Sequence, residues 1–132
     1  MRYYDYELEQ TKEKEIIEKS ILKPEEIEKA LYIIDMNNGF VNFGAMANPL
    51  YNNLVPEQLK MIEKIRKENG QINFILEGHK NNALEFETYP KHCVIGTPEA
   101  ELIPELILEQ TKNNTNTYYK NCINGMLNNK VR

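Results

Sequence analysis

Two short apolar segments on either side of one amphipathic stretch constrain the fold of this chain more than any other feature. Ala30–Ile34 is an uninterrupted apolar run closed by Asp35, and a second strand candidate, residues 72–76, is closed by Glu77. Continuous runs of this length are typical of strands that are buried on both faces of a parallel sheet. The sequence therefore predicts two buried strands, each ending in a carboxylate.

The stretch between the two runs predicts a helix. Pro56 begins it, and Asn69 with Gly70 ends it at a C-cap position. Its apolar face is formed by Leu59, Ile62 and Ile65. A strand, a helix and a strand within roughly 45 residues are typical of a right-handed βαβ unit, which makes the two strands parallel neighbours.

A second helix and a third strand are predicted further along the chain. Thr97 as N-cap and Pro98 at the first helical position predict a helix, and the acidic residues of its first turn favour it. Its apolar residues are Leu102, Leu106 and Ile107. Residues 115–119 form the third strand candidate, closed by Lys120. The whole pattern predicts an α/β fold with an open parallel sheet flanked by helices.

One small domain accounts for the chain of 132 residues and 15.5 kDa. Residues 1–29 are dense in Glu and Lys and predict a solvated N-terminal helical extension, and residues 30–132 form the domain itself. The apolar stripe of the extension consists of Leu8, Ile16, Ile17, Ile21 and Leu22.

Charge and hydropathy exclude several classes of function. Sixteen basic and twenty acidic residues give a net charge of −4, and the basic residues are interleaved with acidic ones, so we expect no binding to nucleic acid. The longest apolar run is far shorter than the roughly 18 to 20 residues that cross a bilayer, and no apolar leader follows Met1. We expect a soluble cytoplasmic protein with Cys93 and Cys122 as reduced thiols.

The candidate site lies where the strands end. Asp35, Glu77 and Lys120 each close a predicted strand, and ligands of open parallel sheets bind in the crevice at the carboxyl ends of the strands. Both histidines of the chain, His79 and His92, lie in the loop after the second strand. A charged residue at a strand end is also an ordinary exit to solvent, and a histidine in a loop can be purely structural.

Glu77, His79 and His92 also offer a set of metal ligands. One carboxylate and two imidazoles suit Zn²⁺, Mn²⁺ or Fe²⁺ and leave open positions for water or substrate. The sequence thus predicts a possible divalent metal site in the same crevice.

Four segments resemble the isochorismatase-like cysteine hydrolases, a family that includes the nicotinamidases. The segments are residues 33–40 (IIDMNNGF), 44–46 (GAM), 85–97 (EFETYPKHCVIGT) with 99–102 (EAEL), and 120–126 (KNCINGM). The third segment is the most specific, and the resemblance covers about residues 30–126.

The resemblance implies a reaction and roles for the site residues. The family uses a Cys nucleophile with an Asp and a Lys to cleave amide or enol ether bonds. By resemblance, Asp35 is the general base and Lys120 lowers the thiol pKa and stabilises negative charge. Glu77, His79 and His92 fall on the metal-ligand positions of the nicotinamidases, where the metal is thought to orient the pyridine nitrogen. A small amide similar to nicotinamide is the implied substrate.

Two departures from the family pattern bear on activity. Glu77 stands where the family has Asp, and the family's nucleophile follows a later strand than any before Arg132. We therefore expect a partial, C-terminally truncated domain that lacks the C-terminal strands. Cys93 matches a family cysteine that is not the nucleophile, and Cys122 stands where a small hydroxyl residue is usual, two residues after Lys120.

Three functional hypotheses follow. The chain belongs to a nicotinamidase-like amidohydrolase whose nucleophile lies elsewhere, or it is a non-catalytic remnant that binds a ligand or partner in the same crevice. The third is a product with no function. An open flank of the sheet also predicts a homo-oligomer, since exposed strand edges invite pairing.

Overall fold

The three predicted strands form one parallel sheet with the second strand in the centre. The computed structural model describes residues 29–124. Its strands are β1 (Ala30–Ile34), β2 (Gln71–Glu77) and β3 (Thr115–Lys120), in the order β1-β2-β3. Its α-helices are α1 (Asn38–Val41), α2 (Val55–Lys67) and α3 (Pro104–Ile107). Short 3₁₀ helices span Pro49–Leu54, Leu84–Glu87, Pro98–Ala100 and Leu108–Thr111.

The core lies on one face of this sheet. Phe74 in the middle of β2 is fully buried and is paired with Ile33 of β1 and Thr117 of β3. Helices α2 and α3 cover this face through Ile62 and Leu106. The remaining buried members of the core are Met36, Val41, Val55, Ile72, Leu76, Leu102 and Ile103. The predicted open α/β sheet is confirmed.

The prediction that β1 is buried on both faces is wrong. Ile33 is buried, but the neighbouring side chains of Tyr32 and Ile34 are 42% and 54% exposed. Successive side chains of a strand point to opposite faces, and the core covers the face that carries Ile33. In the described sheet β1 is also an edge strand. Self-association through this strand stays a prediction.

Helix α2 forms where the apolar spacing places it. Ile62 is fully buried in the core, while Leu59 and Ile65 lie at the border of the same face. At its end Asn69 takes the left-handed conformation with φ 57°, and the Gly70 N–H donates to Ile65 O at 2.8 Å. A Cβ on Gly70 would lie 2.6 Å from Lys29 O, so glycine allows β1 to pass close to this turn.

The prediction of one continuous helix from Thr97 to Ile107 is wrong. A 3₁₀ helix over Pro98–Ala100 is followed by extended backbone, and α3 begins only at Pro104. Proline restricts the residue before it to extended backbone, and Ile103 indeed has φ −58° and ψ 148°. Thr97 stands at the N-cap position of the 3₁₀ helix, with Pro98 after it, but its side chain makes no capping hydrogen bond and its hydroxyl donates to Val94 O at 2.6 Å.

The extended segment between the 3₁₀ helix and α3 connects two parts of the chain. Leu102 forms an antiparallel bridge with Asn37, and the Ile103 N–H donates to Met36 O at 3.0 Å. The segment after β1 is thus fixed to the segment before α3. This contact holds the chain that follows Asp35 in place over the end of the sheet.

The N-terminal helical extension, predicted over residues 1–29, lies outside the described residues except for Lys29. Among the described residues, no helix is both long enough and apolar enough to span a membrane.

Replacing Phe74 with alanine tests the position of the core. We expect the free energy of unfolding to fall by about 3 to 5 kcal/mol, because the ring is fully buried in the central strand. The matched control is Phe43→Ala, since Phe43 is 47% exposed, and it should cost about 1 kcal/mol or less. Urea denaturation followed by circular dichroism measures both, and equal losses would contradict the assignment of the core.

Candidate functional site

The carboxyl ends of the three strands bring three charged side chains together. Glu77 and Lys120 are the last residues of β2 and β3 and stand opposite each other in the strand register. Lys120 Nζ lies 3.1 Å from Asp35 Oδ1 and 3.5 Å from Glu77 Oε1. Glu77 and Lys120 are buried, whereas the Asp35 side chain is partly exposed. The structure thus places these predicted site residues in one ion cluster.

Asp35 reaches this cluster because the backbone turns sharply after β1. Its N–H still donates to Ile75 O at 2.9 Å, as in the sheet, but its φ of 62° lies in the left-handed region. Aspartate tolerates this region better than most residues, and such conformations occur frequently at functional sites. The turn leaves the Asp35 carboxylate beside Lys120 instead of continuing the strand.

The two carboxylates offset the burial of the Lys120 ammonium group. Burial alone would lower the pKa of Lys120, but the carboxylates of Asp35 and Glu77 outweigh it and raise the pKa above its usual value. Burial raises the pKa of Glu77, while the positive charge of Lys120 acts against this increase. Lys120 is therefore a cation at neutral pH.

The loop after β2 folds back and joins its two histidines. The His79 N–H donates to Cys93 O at 2.8 Å, and the Ile95 N–H donates to His79 O at 2.8 Å. The imidazole rings of His79 and His92 lie 4.8 Å apart between centroids, at 83°. Ligand atoms of Glu77, His79 and His92 all lie within 4.8 Å of one another, so the structure brings together the three predicted metal ligands.

Hydrogen bonds at Nδ1 determine which ring nitrogen is free to bind a ligand. His92 Nδ1 lies 2.7 Å from Pro90 O, and a carbonyl can only accept, so Nδ1 carries the proton. His79 Nδ1 lies 2.9 Å from Asn121 Oδ1, an oxygen that also accepts from the Lys80 N–H. Nε2 is therefore the nitrogen of each ring that is left to act as a ligand atom.

His79 Nε2 lies beside two carboxylates and has no hydrogen-bond partner. His79 Nε2 lies 3.2 Å from Glu77 Oε1 and 3.1 Å from Glu85 Oε2, and neither contact has hydrogen-bond geometry. Glu85 Oε1 also lies 3.9 Å from His92 Nε2. A buried, unpartnered nitrogen beside two carboxylates fits a divalent cation, for which imidazole and carboxylate are suitable ligands.

Glu85 is a site residue that the sequence analysis missed as such. It lies in the short 3₁₀ helix Leu84–Glu87, between the two histidines in sequence. The signal available in the sequence is an additional acidic residue in the loop that contains both histidines. Carboxylates are common in polar loops, so the sequence alone does not single out Glu85.

Aromatic rings enclose the histidines and connect them to a cavity. Phe86 packs edge-on against His79 at 5.2 Å, and Phe40 contacts His92 at 5.5 Å, both between centroids. Phe40 also borders a cavity of about 270 Å³ next to Asp35. The other residues around this cavity are Ile34, Met36, Tyr51 and Leu54. Phe40 thus contacts His92 and also borders the cavity beside Asp35.

The two cysteines occupy different environments. Cys93 is buried, and burial raises the pKa of its thiol to about 12, with the carboxylate of Glu77 adding to the shift. Strand β3 ends at Lys120 and residues 121–123 bend, so Cys122 lies beyond the strand. The Cys122 thiol donates to Asn124 O at 3.4 Å.

Comparison with known proteins identifies the family. Residues 29–132 match the isochorismatase domain, so the chain belongs to the isochorismatase family, and the resemblance seen in its motifs is confirmed. Nicotinamidase 1 of Arabidopsis thaliana is 31% identical over 103 residues, which cover 74% of this chain and 42% of that protein. The chain therefore spans less than half of that relative.

Solved structures show the same fold. An isochorismatase-like hydrolase from Alkaliphilus metalliredigens is 28% identical with a TM-score of 0.65, covering 75% of this chain and 55% of that one. A pyrazinamidase of Pyrococcus horikoshii in complex with zinc is 26% identical with a TM-score of 0.61, covering 71% and 52%. The chain spans about half the length of these structures.

Thiol labelling tests the environment of Cys93. In the folded protein at pH 8 we expect iodoacetamide to label Cys122 and leave Cys93 unmodified, because a buried thiol with a pKa near 12 forms almost no thiolate. Peptide mass spectrometry reports each site, and both cysteines should react in 6 M guanidinium as a control. Rapid modification of Cys93 in the folded state would contradict the structure.

Proposed function

We propose that this chain carries the general base, the lysine and the metal site of an amidohydrolase that acts on a small heteroaromatic amide such as nicotinamide. The observation that carries the proposal is the continuous network from the partly exposed Asp35 through the buried Lys120 and Glu77 to the two histidines. The similarity to Nicotinamidase 1 supports the choice of nicotinamide.

Glu77, His79 and His92 would hold a divalent cation, with Zn²⁺, Mn²⁺ and Fe²⁺ as candidates. The zinc complex of the related pyrazinamidase supports Zn²⁺ as the first choice. When bound, the cation would supply a Lewis acid that orients the ring nitrogen of the amide. The cavity beside Asp35 has room for a single six-membered ring.

Asp35 and Lys120 serve the amide group itself. The partly exposed carboxylate of Asp35 borders the cavity and would accept the proton of an attacking thiol. The ammonium group of Lys120, 3.1 Å from Asp35, would stabilise the thiolate and the negative oxygen that develops as the amide carbon is attacked.

The proposed reaction proceeds through a thioester. The sulfur–carbon bond forms as the carbon–nitrogen bond breaks, and the proton held by Asp35 passes to the nitrogen, which leaves as ammonia. Water then cleaves the thioester to the carboxylic acid and regenerates the thiol. Cys93 is not suited to this role, because its thiol is buried and its pKa is raised to about 12. The thiol therefore comes from another residue.

That same property of Cys93 favours a second candidate function. A protein that binds a small amide or a partner in this crevice, without hydrolysing it, needs the cavity and the charge cluster but no reactive thiol. The two candidate functions use the same binding site, but only the amidohydrolase converts its ligand.

Paired ligands test the proposed binding mode. We expect the zinc-loaded protein to bind nicotinamide about tenfold or more tightly than benzamide, which has the same shape but no ring nitrogen to meet the cation. Isothermal titration calorimetry measures both, and His92→Ala, which removes one proposed ligand, should abolish the difference. Equal affinities for the two amides would contradict the proposed orientation.

Ammonia release separates the two candidates. Protein purified from its native source, which retains any segment or partner chain that supplies the thiol, should release ammonia from nicotinamide if it is the amidohydrolase. Asp35→Asn and Lys120→Met should each lower the rate by about a hundredfold or more. Binding without release would favour the binding protein, and folded, zinc-loaded protein that does neither would contradict both.

A further inference from the structure

The side chain of Asn37 forms hydrogen bonds with both the N–H and the C=O of Glu77, a proposed metal ligand. Asn37 is fully buried, and its Nδ2 donates to Glu77 O at 2.8 Å and to Ala100 O at 2.8 Å. The Glu77 N–H in turn donates to Asn37 Oδ1 at 3.0 Å. One partner is an N–H, which can only donate, and the other two are carbonyl oxygens, which can only accept. The oxygen and nitrogen of the amide are therefore assigned without ambiguity.

The end of β1 explains why Glu77 needs this partner. The last ladder bond between the two strands runs from the Asp35 N–H to Ile75 O at 2.9 Å. The next residue of β2 whose main-chain groups face β1 is Glu77, but the chain has already turned away at Asp35. The side-chain amide of Asn37 takes the place of the missing peptide unit and satisfies the N–H and C=O of Glu77.

This anchor determines where the Glu77 carboxylate can reach. Glu77 Oε1 lies 3.5 Å from Lys120 Nζ and 3.2 Å from His79 Nε2, so the carboxylate serves both the ion cluster and the histidines. A shift of its main chain would change both distances together. The same Asn37 amide holds Ala100, beyond the loop that contains His92.

We propose that Asn37 is a positioning residue of the metal site, setting the main chain of Glu77 so that a glutamate side chain reaches the cation. This inference rests on the proposed metal site and adds a residue that does not touch the metal. Glu77→Asp shortens the ligand side chain by about 1.5 Å, the length of one carbon–carbon bond, and Asn37→Gln lengthens by the same amount the side chain that holds the Glu77 main chain.

Metal affinity in a double-mutant cycle tests the proposal. Zn²⁺ dissociation constants are measured by competition with a chromophoric chelator for the wild type, Asn37→Gln, Glu77→Asp and the double variant. We expect each single variant to bind Zn²⁺ about 10- to 100-fold more weakly, as for other residues that orient metal ligands. The losses of the two single variants should not add fully in the double variant, because both substitutions act on the position of the same carboxylate.

Asn38→Ala is the matched control. Asn38 is also buried, but its side chain binds Pro98 O at 3.1 Å and makes no hydrogen bond to Glu77. It should lower stability while leaving Zn²⁺ affinity within about threefold of the wild type. The visible absorption of bound Co²⁺ gives a second readout, since it follows ligand geometry and should change only in the variants of Asn37 and Glu77.

The outcomes separate this inference from the metal site itself. A wild type that binds no divalent metal would overturn both. A wild type that binds Zn²⁺, with an Asn37→Gln variant of equal affinity and equal Co²⁺ spectrum, would overturn the positioning role alone. So would an Asn38→Ala variant that loses as much affinity, or a double variant whose losses are fully additive. Asn37→Gln retains both the donor and the acceptor, so it tests the proposal even where Asn37→Ala does not fold.

Discussion

The ion pairs of Lys120 with Asp35 and Glu77 are the interaction on which this end of the molecule depends. An isolated charge in the interior is strongly unfavourable, and breaking a buried pair by removing one partner typically costs about 3 to 5 kcal/mol. Here one ammonium group lies within 3.5 Å of two carboxylates, so the cluster is stable only if all three strand ends meet. The register of β2 and β3 and the left-handed turn at Asp35 bring about this meeting.

Glu77 connects this cluster to the histidines. Its carboxylate lies between Lys120 on one side and His79 Nε2 on the other, and its main chain is held by Asn37. The ion cluster and the histidines are thus linked through one side chain. This coupling explains how a short loop and three strand ends can form one site.

Much of this arrangement could be predicted from local patterns. Apolar runs predicted the positions of the strands. The rule that ligands bind at the carboxyl ends of parallel strands predicted Glu77 as a candidate site residue. Pro104 divided the second helix, since its effect on the preceding residue outweighed the apolar spacing that favoured one helix. The exposure of Ile34 depends on which face the helices cover. Asn37 acts through contacts with residues 40 and 63 positions away, and no spacing in the sequence records those contacts. Glu85 is close to both histidines in sequence, but carboxylates are common in polar loops.

Anomalous diffraction at the zinc edge shows whether a divalent cation binds between Glu77, His79 and His92. Crystals of the zinc-loaded protein should show one strong peak about 2.0 to 2.2 Å from Nε2 of both histidines and from a Glu77 oxygen. A peak bound elsewhere, or no peak at this position with both histidines ordered and excess zinc present, would contradict the account.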